Sequence, residues 1–291
     1  MEIPATEGYT RWYQLGVRRF EMVDLGYELA ASLDPGDSDV PVIHINAMGT
    51  GRDQWDQVLL QPHRHPTLTY DRPGIGDSGS LPRHLAEQPR TLGSLADELH
   101  QLVNGLEIDS PHVVVGHSIG GLIAMMYAAR YGADTAGIVL VDATTLDHLI
   151  DADWPEHEGD EQDQPSPGSS KLDPAASLVE LQTAAVPPMP AVVLSSAQGR
   201  WLRLTPDEAA EYAPLTPEEL ENRWQHGQRT LADTLDALLV VADTAGHHVP
   251  ADQPALVAAC IDAVLAAVRN DQPATIPADQ LRRVGGSCPA R

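Results

Sequence analysis

Basic residues are scarce in this 291-residue chain: 18 Lys and Arg stand against 42 Asp and Glu, a formal charge of −24. Lys171 is the sole lysine, so nearly all the positive charge is arginine. A balance this acidic argues against nucleic-acid binding and against docking on anionic membranes, since both need clustered Lys and Arg. It also disfavours a polyanionic substrate. Cysteine is rarer still. Cys260 lies in an apolar helical pattern and Cys288 in a polar stretch, with no C-x-x-C spacing, so disulfide and zinc readings have little support. A single Phe leaves core volume mainly to Val, Leu, Ile and Ala. No apolar run is long enough to cross a bilayer, and the opening MEIPATEGYT lacks a basic-then-apolar leader. A soluble, cytoplasmic protein is the expectation.

What is present has a clear rhythm. Residues 18–33 alternate apolar and polar side chains, which suggests two antiparallel strands turning near Gly26. Short apolar runs at 40–45, 67–70, 112–115, 138–141, 191–194 and 238–241 read as buried strands. Helical spacing separates them at 53–60, 91–106, 120–130, 206–230 and 254–268. Strands alternating with helices predict an α/β fold with a mainly parallel sheet and helices on both faces. Residues 146–190 interrupt the alternation. They include an acidic, Pro-rich stretch with Trp154, and a short helical pattern at 175–183, which together suggest a lid or cap insertion. One domain over residues 1–270 and a disordered tail over 271–291 complete the expected organisation.

The chemistry centres on Gly116-His117-Ser118-Ile119-Gly120, a G-x-S-x-G pattern. Alone it is weak in a Gly- and Ala-rich chain. Here the strand HVVV runs directly into it and the helix GGLIAMMYAAR directly out. Such a turn strains the central residue and tolerates only small neighbours, and it lifts the Ser hydroxyl above the sheet edge. The plainer alternative is a serine that merely caps the helix; the strand–turn–helix context favours a nucleophile. A serine hydroxyl needs a base, most often histidine.

The segments NAMGTGRDQW, YDRPGIGDSG, VVVGHSIGG, IVLVDAT and AGHHVP occur in the order and spacing of the α/β-hydrolase superfamily, which this chain resembles over roughly residues 18–268. The resemblance implies a mostly parallel sheet of the eight-stranded type, with Ser118 as nucleophile and His247 as general base. His248 is the neighbouring competitor. The acid position departs from the commoner pattern, because AVVLSS is followed by AQGRW and no carboxylate appears before Asp207. A minority of relatives carry the acid one strand earlier, where Asp142 stands; Asp142 is favoured and Asp207 is the alternative. The oxyanion hole would use the backbone N–H groups of Ile119 and Met48. Family members commonly have His-Gly where this chain has Asn46-Ala47.

These expectations describe a hydrolase for an ester, lactone or related acyl substrate, a neutral or apolar small molecule, with no metal and no organic cofactor. A non-hydrolytic enzyme on the same scaffold (lyase, perhydrolase or acyl transferase) and a catalytically silent ligand-binding protein are the alternatives. Haloalkane dehalogenase and epoxide hydrolase readings are weaker, since those relatives use an Asp where this chain has Ser118. Trp154 and Trp201 are candidates to line a substrate pocket, or simply to pack. Two other patterns are set aside. Gly74-x-Gly76-x-x-Gly79 imitates a dinucleotide loop but runs into the proline-bearing SLPRHLAEQPR instead of a helix. The acidic run at 151–163 lacks the alternating oxygen spacing of a calcium loop.

Overall fold

A computed structural model describes residues 11–20, 23–32, 40–150 and 171–289. Its strands are β1 (Arg11–Phe20), β2 (Val23–Ser32), β3 (Val42–Ile45), β4 (Thr67–Tyr70), β5 (His112–His117), β6 (Thr135–Val141), β7 (Ala191–Ser195), β8 (Leu238–Ala242) and β9 (Gly286–Ser287). They form one sheet in the order β1-β2-β4-β3-β5-β6-β7-β8-β9. From β4 to β8 all neighbours are parallel, while β1, β2 and β9 add antiparallel edges. The helices are α1 (Asp56–Leu59), α2 (Arg83–Ala86), α3 (Leu92–Gly105), α4 (Ile119–Arg130), α5 (Leu146–Ile150), α6 (Pro174–Thr183), α7 (Pro206–Glu211), α8 (Pro217–Thr234), α9 (Val249–Asp252), α10 (Pro254–Asn270) and α11 (Ala278–Val284).

Parallel strands covered on both faces must be apolar throughout, and alternate residues then feed two separate cores. On one face Ile43, Ile45, Val114, Ile138, Leu140 and Val193 pack with α3 and α4. On the other, Val42, Val113, Val115, Val139, Val141, Val192 and Leu194 pack with α10. Trp55, Trp224, Tyr70 and Tyr127 are among the largest fully buried side chains and supply the aromatic volume that the lone Phe does not. Helix starts are set by capping boxes at Thr91/Ser94, Thr205/Glu208 and Thr216/Glu219.

Two sequence expectations need correction. The N-terminal hairpin does not turn at Gly26: Phe20 pairs with Val23, and Gly26 pairs with Val17 inside β2. The glycine marks a close approach instead, because a Cβ there would meet the Asp77 Cβ at 2.8 Å, and its amide donates to Ser78 Oγ at 2.9 Å. The tail is not disordered over its described part. α11 buries Leu281, and β9 pairs with β8 through Val241 and Ala242. Of the inserted 146–190 stretch, α5 and α6 are described and pack against each other, and α6 also packs on α3. Leu92 N–H donates to Ser177 Oγ at 3.1 Å and Gly93 N–H to Glu180 Oε2 at 2.8 Å, which fixes α6 on the start of α3. The acidic run at 151–163, Trp154 included, lies outside the described residues.

Chain direction decides where a site can form. After β3 the chain passes outward to β4; after β5 it passes the other way to β6. The crevice beyond the carboxyl ends of β3 and β5 is therefore a topological switch point, where α/β sheets hold their ligands. The loop at residues 46–50 and Ser118 both open onto it.

Candidate active site

Ser118 stands between β5 and α4 with φ +54° and ψ −124°, a backbone conformation that L-residues rarely adopt. Three hydrogen bonds hold it: Ser118 N–H to Val141 O at 3.1 Å, Gly121 N–H to Ser118 O at 2.9 Å and Thr144 N–H to Ser118 O at 3.0 Å. The glycines of the motif are needed for close approach. A Cβ on Gly116 would lie 2.1 Å from Gly120 O, and one on Gly120 would lie 2.4 Å from Ile45 O. No side chain could replace either without moving backbone. The hydroxyl therefore sits at the N-terminus of an almost wholly buried helix, which favours negative charge there.

His247, in the loop after β8, makes a 2.7 Å contact from Nδ1 to Asp142 Oδ2. Asp142 follows β6, has φ +40° and is fully buried. Its carboxylate accepts three more hydrogen bonds, from Ser196 N–H at 2.7 Å, Trp224 Nε1–H at 2.9 Å and Arg200 at 3.0 Å. Burial by itself would raise this carboxyl, but the Arg200 charge, the His247 contact and the Ser196 amide outweigh it and hold it well below the usual carboxylate range. With a carboxylate on Nδ1, the His247 proton resides there and Nε2 is left as the basic atom. His117 ties this loop to the elbow. Its Nε2–H donates to His247 O at 2.8 Å, and burial pushes its pKa down to about 3.

Ser118 Oγ lies 3.4 Å from Thr144 Oγ1 and is not hydrogen-bonded to His247 in this structure. In resting sites such bonds are often long and tighten only with substrate. The two proposed oxyanion donors occupy the switch-point crevice. Neither the Met48 nor the Ile119 amide takes part in a hydrogen bond among the described residues. The Met48 loop is braced from behind. Arg72, buried, donates to Asn46 O at 2.7 Å and also to Ala47 O. Asn46 Nδ2–H donates to Tyr70 O at 2.9 Å, its Oδ1 accepts from Trp55 Nε1–H at 3.0 Å, and Ala47 N–H donates to Gln54 Oε1 at 3.2 Å. The Asn46-Ala47 pair thus anchors the loop through a buried amide side chain.

The remaining candidates separate clearly. Asp207 is exposed in the first turn of α7, and the carboxylate that meets His247 is that of Asp142. His248 is exposed and caps α9. Trp201 is buried against Tyr212 and Trp224 in a small cluster beside the site. Asp71, in the loop that mimics a dinucleotide motif, accepts from the amides of Arg52 and Asp77, which makes it a loop organiser. Sequence reading missed Arg200, Trp224, Ser196, His117 and Arg72. Arg200 alone left a usable signal, since it falls just after β7, at the sheet end where a carboxylate is commoner. Among the described residues no group of three His, Cys, Asp or Glu could hold a metal ion, and no helix is long and apolar enough to cross a membrane.

Comparison with known proteins agrees with this architecture. The family model described as alpha/beta hydrolase fold matches residues 40–172. Over 110 residues the chain is 31% identical to RutD of Escherichia coli O9:H4 (strain HS), named as a candidate carbamate hydrolase; the match covers 37% of this chain and 40% of that one. The chain spans less than half the length of the curated relatives it matches. Among solved structures, the haloalkane dehalogenase DatA of Agrobacterium tumefaciens C58 superposes with a TM-score of 0.59 at 14% identity, covering 88% of this chain and 97% of that one. Est816, an N-acyl homoserine lactone degrading enzyme, superposes with a TM-score of 0.54 at 15% identity, covering 85% and 99%. At such identities the structures speak for the fold alone. Sheet order, switch-point elbow, the family model over residues 40–172 and the superposed structures together show that the chain has the α/β-hydrolase fold.

Proposed function

We propose that this protein is a serine hydrolase that cleaves an ester, lactone, carbamate or related acyl bond through an acyl-enzyme on Ser118. The observation that carries the reading is the 2.7 Å contact of His247 with a buried, ionised Asp142, in the loop that His117 ties to the strained Ser118 turn. His247 Nε2 takes the Ser118 proton as Oγ attacks the acyl carbon. The tetrahedral oxyanion rests on the Met48 and Ile119 amides. Collapse expels the leaving group, which receives the proton from His247. Water, deprotonated by the same imidazole, then releases the acid and restores Ser118.

The substrate is expected to be neutral or apolar, in keeping with the −24 charge of the chain. The name of RutD supports the acyl class without selecting among its members. Treatment with a fluorophosphonate should add one label, at Ser118, and Ser118→Ala should abolish both labelling and turnover of activated esters. Turnover that survives in Ser118→Ala rejects the reading. A catalytically silent binding protein is the second reading, favoured by the contact of Ser118 Oγ with Thr144 in place of His247. Absence of both labelling and turnover in the wild type would select it.

A further inference from the structure

One buried cation has no part in the catalytic scheme above. Arg200 follows β7, and its guanidinium donates at 3.0 Å to Asp142 Oδ2, the same oxygen that meets His247 Nδ1 at 2.7 Å. Its Cζ lies 4.4 Å from the ring centroids of both Trp201 and Trp224, and the side chain is 11% exposed. A surface ion pair is screened and contributes little; here both partners are buried. At rest, the charges of Arg200, Asp142 and neutral His247 cancel. Once His247 takes the Ser118 proton, the same three groups carry a net positive charge around one carboxylate oxygen.

We propose that Arg200 is a positioning residue of the active site: held against two neighbouring indoles, it aims Asp142 at His247 and weakens the carboxylate field that favours the protonated imidazole. The inference rests on the Ser118–His247–Asp142 reading. The positive charge of Arg200 opposes the gathering of further positive charge beside Asp142. The other groups around His247 do not duplicate this. His117, from β5, donates to the His247 carbonyl and is kept neutral by burial. His248, in the same loop, is exposed, with its ring 5.9 Å from that of His247. Trp224, from α8, brings no charge. Glu221 on α8 and Tyr212 lie near Arg200 and act on the guanidinium. Arg200 is the cation in contact with Asp142.

The test compares Arg200→Met and Arg200→Lys with wild type, using a p-nitrophenyl ester from pH 5 to 9, with fluorophosphonate labelling of each protein. Arg200→Met should lower kcat/KM at pH 8 roughly 10- to 100-fold. Its acid limb should move upward by about one pH unit or more. Arg200→Lys, which keeps the charge and loses the planar fork, should hold the limb near the wild-type position while losing part of kcat. If Arg200→Met does not fold, Arg200→Met with Glu221→Gln removes both charges and should show the same upward limb. An unmoved limb in a folded, Ser118-labelled variant that lacks the Arg200 charge overturns the role of Arg200 and leaves the triad standing. A wild type that hydrolyses the ester without Ser118 overturns both.

Discussion

Trp224 Nε1–H donates to Asp142 Oδ1 at 2.9 Å, so a helix that begins long after the strand of the acid closes the cage around it. The same indole stands edge-on to His247, with ring centroids 5.9 Å apart and planes at 85°. Trp224→Phe keeps an aromatic side chain, deletes one hydrogen bond to a buried carboxylate and leaves a small cavity where the larger indole was. It should cost about 1–3 kcal/mol of stability. Turnover should fall more than KM changes, because the acid is loosened and the substrate is untouched. Urea unfolding and steady-state kinetics read the two effects separately; a variant unchanged in both would show that Asp142 does not depend on this donor.

The acid itself is tested by a pair of substitutions. Asp142→Asn should reduce kcat by roughly 10³- to 10⁴-fold, because an amide stabilises the wrong tautomer of His247. It should also destabilise the fold by about 3–5 kcal/mol, since Arg200 then lacks its buried partner. Asp207→Asn, at an exposed helix start, should leave kcat within about twofold of wild type. Equal losses in the two variants would contradict the assignment.

How far the sequence could be read depends on the range of the interaction. Ser118 was legible because its constraint is local: strand, tight turn and helix are contiguous, and the glycines at 116 and 120 answer contacts at 2.1 and 2.4 Å. His247 and Asp142 were legible through family motifs at strand ends. Trp224 was not, and Arg200 showed only through its place just after β7, since their roles arise when β7 and α8 fold against β6. Gly26 misled for a related reason. A glycine in an alternating stretch signals a turn or a close approach equally well, and only the position of the 74–79 loop decides. The tail misled because its prolines and glycines suit a disordered segment as well as a short connection into an edge strand.

The tail correction has its own consequence. Gln253 Nε2–H donates to Gly285 O at 2.7 Å, while Gln253 Oε1 accepts from Ala245 N–H at 2.8 Å, two positions before His247. Ile276 and Leu281 are buried in the same core as α10. Deleting residues 272–291 should therefore cost about 3–6 kcal/mol, because the burial of Ile276 and Leu281 is lost and the core surface they cover is exposed. The truncated chain should also lose turnover, as the His247 loop loses its brace. A truncated chain with the wild-type urea midpoint would show that the segment adds nothing to the fold.

Buried histidines set the acid limit of stability. Burial pushes His44 and His117 down to about 3 and His112 to about 4, whereas the unfolded chain protonates histidine near its ordinary value of about 6.5. Below pH ~6.5 the unfolded state binds protons that the folded state refuses. Stability is thus fully present above that value and falls as pH drops toward the folded values, by about 1.4 kcal/mol per pH unit for each histidine. Asp142 acts lower. Its depressed carboxyl contributes stability that is present above pH ~4 and is lost only as pH falls further. Urea midpoints measured between pH 7.5 and 4.5 should decline, offset in part by Asp262, whose carboxyl burial raises to about 6 and which takes up a proton in the folded state. His112→Gln, which keeps a polar group beside the Tyr127 hydroxyl that His112 Nε2 meets at 2.9 Å, should flatten that slope by about 1.4 kcal/mol per pH unit, the share of one histidine. A slope that stays as steep in His112→Gln would mean that this imidazole is protonated alike in the folded and unfolded states, and that the acid sensitivity originates elsewhere.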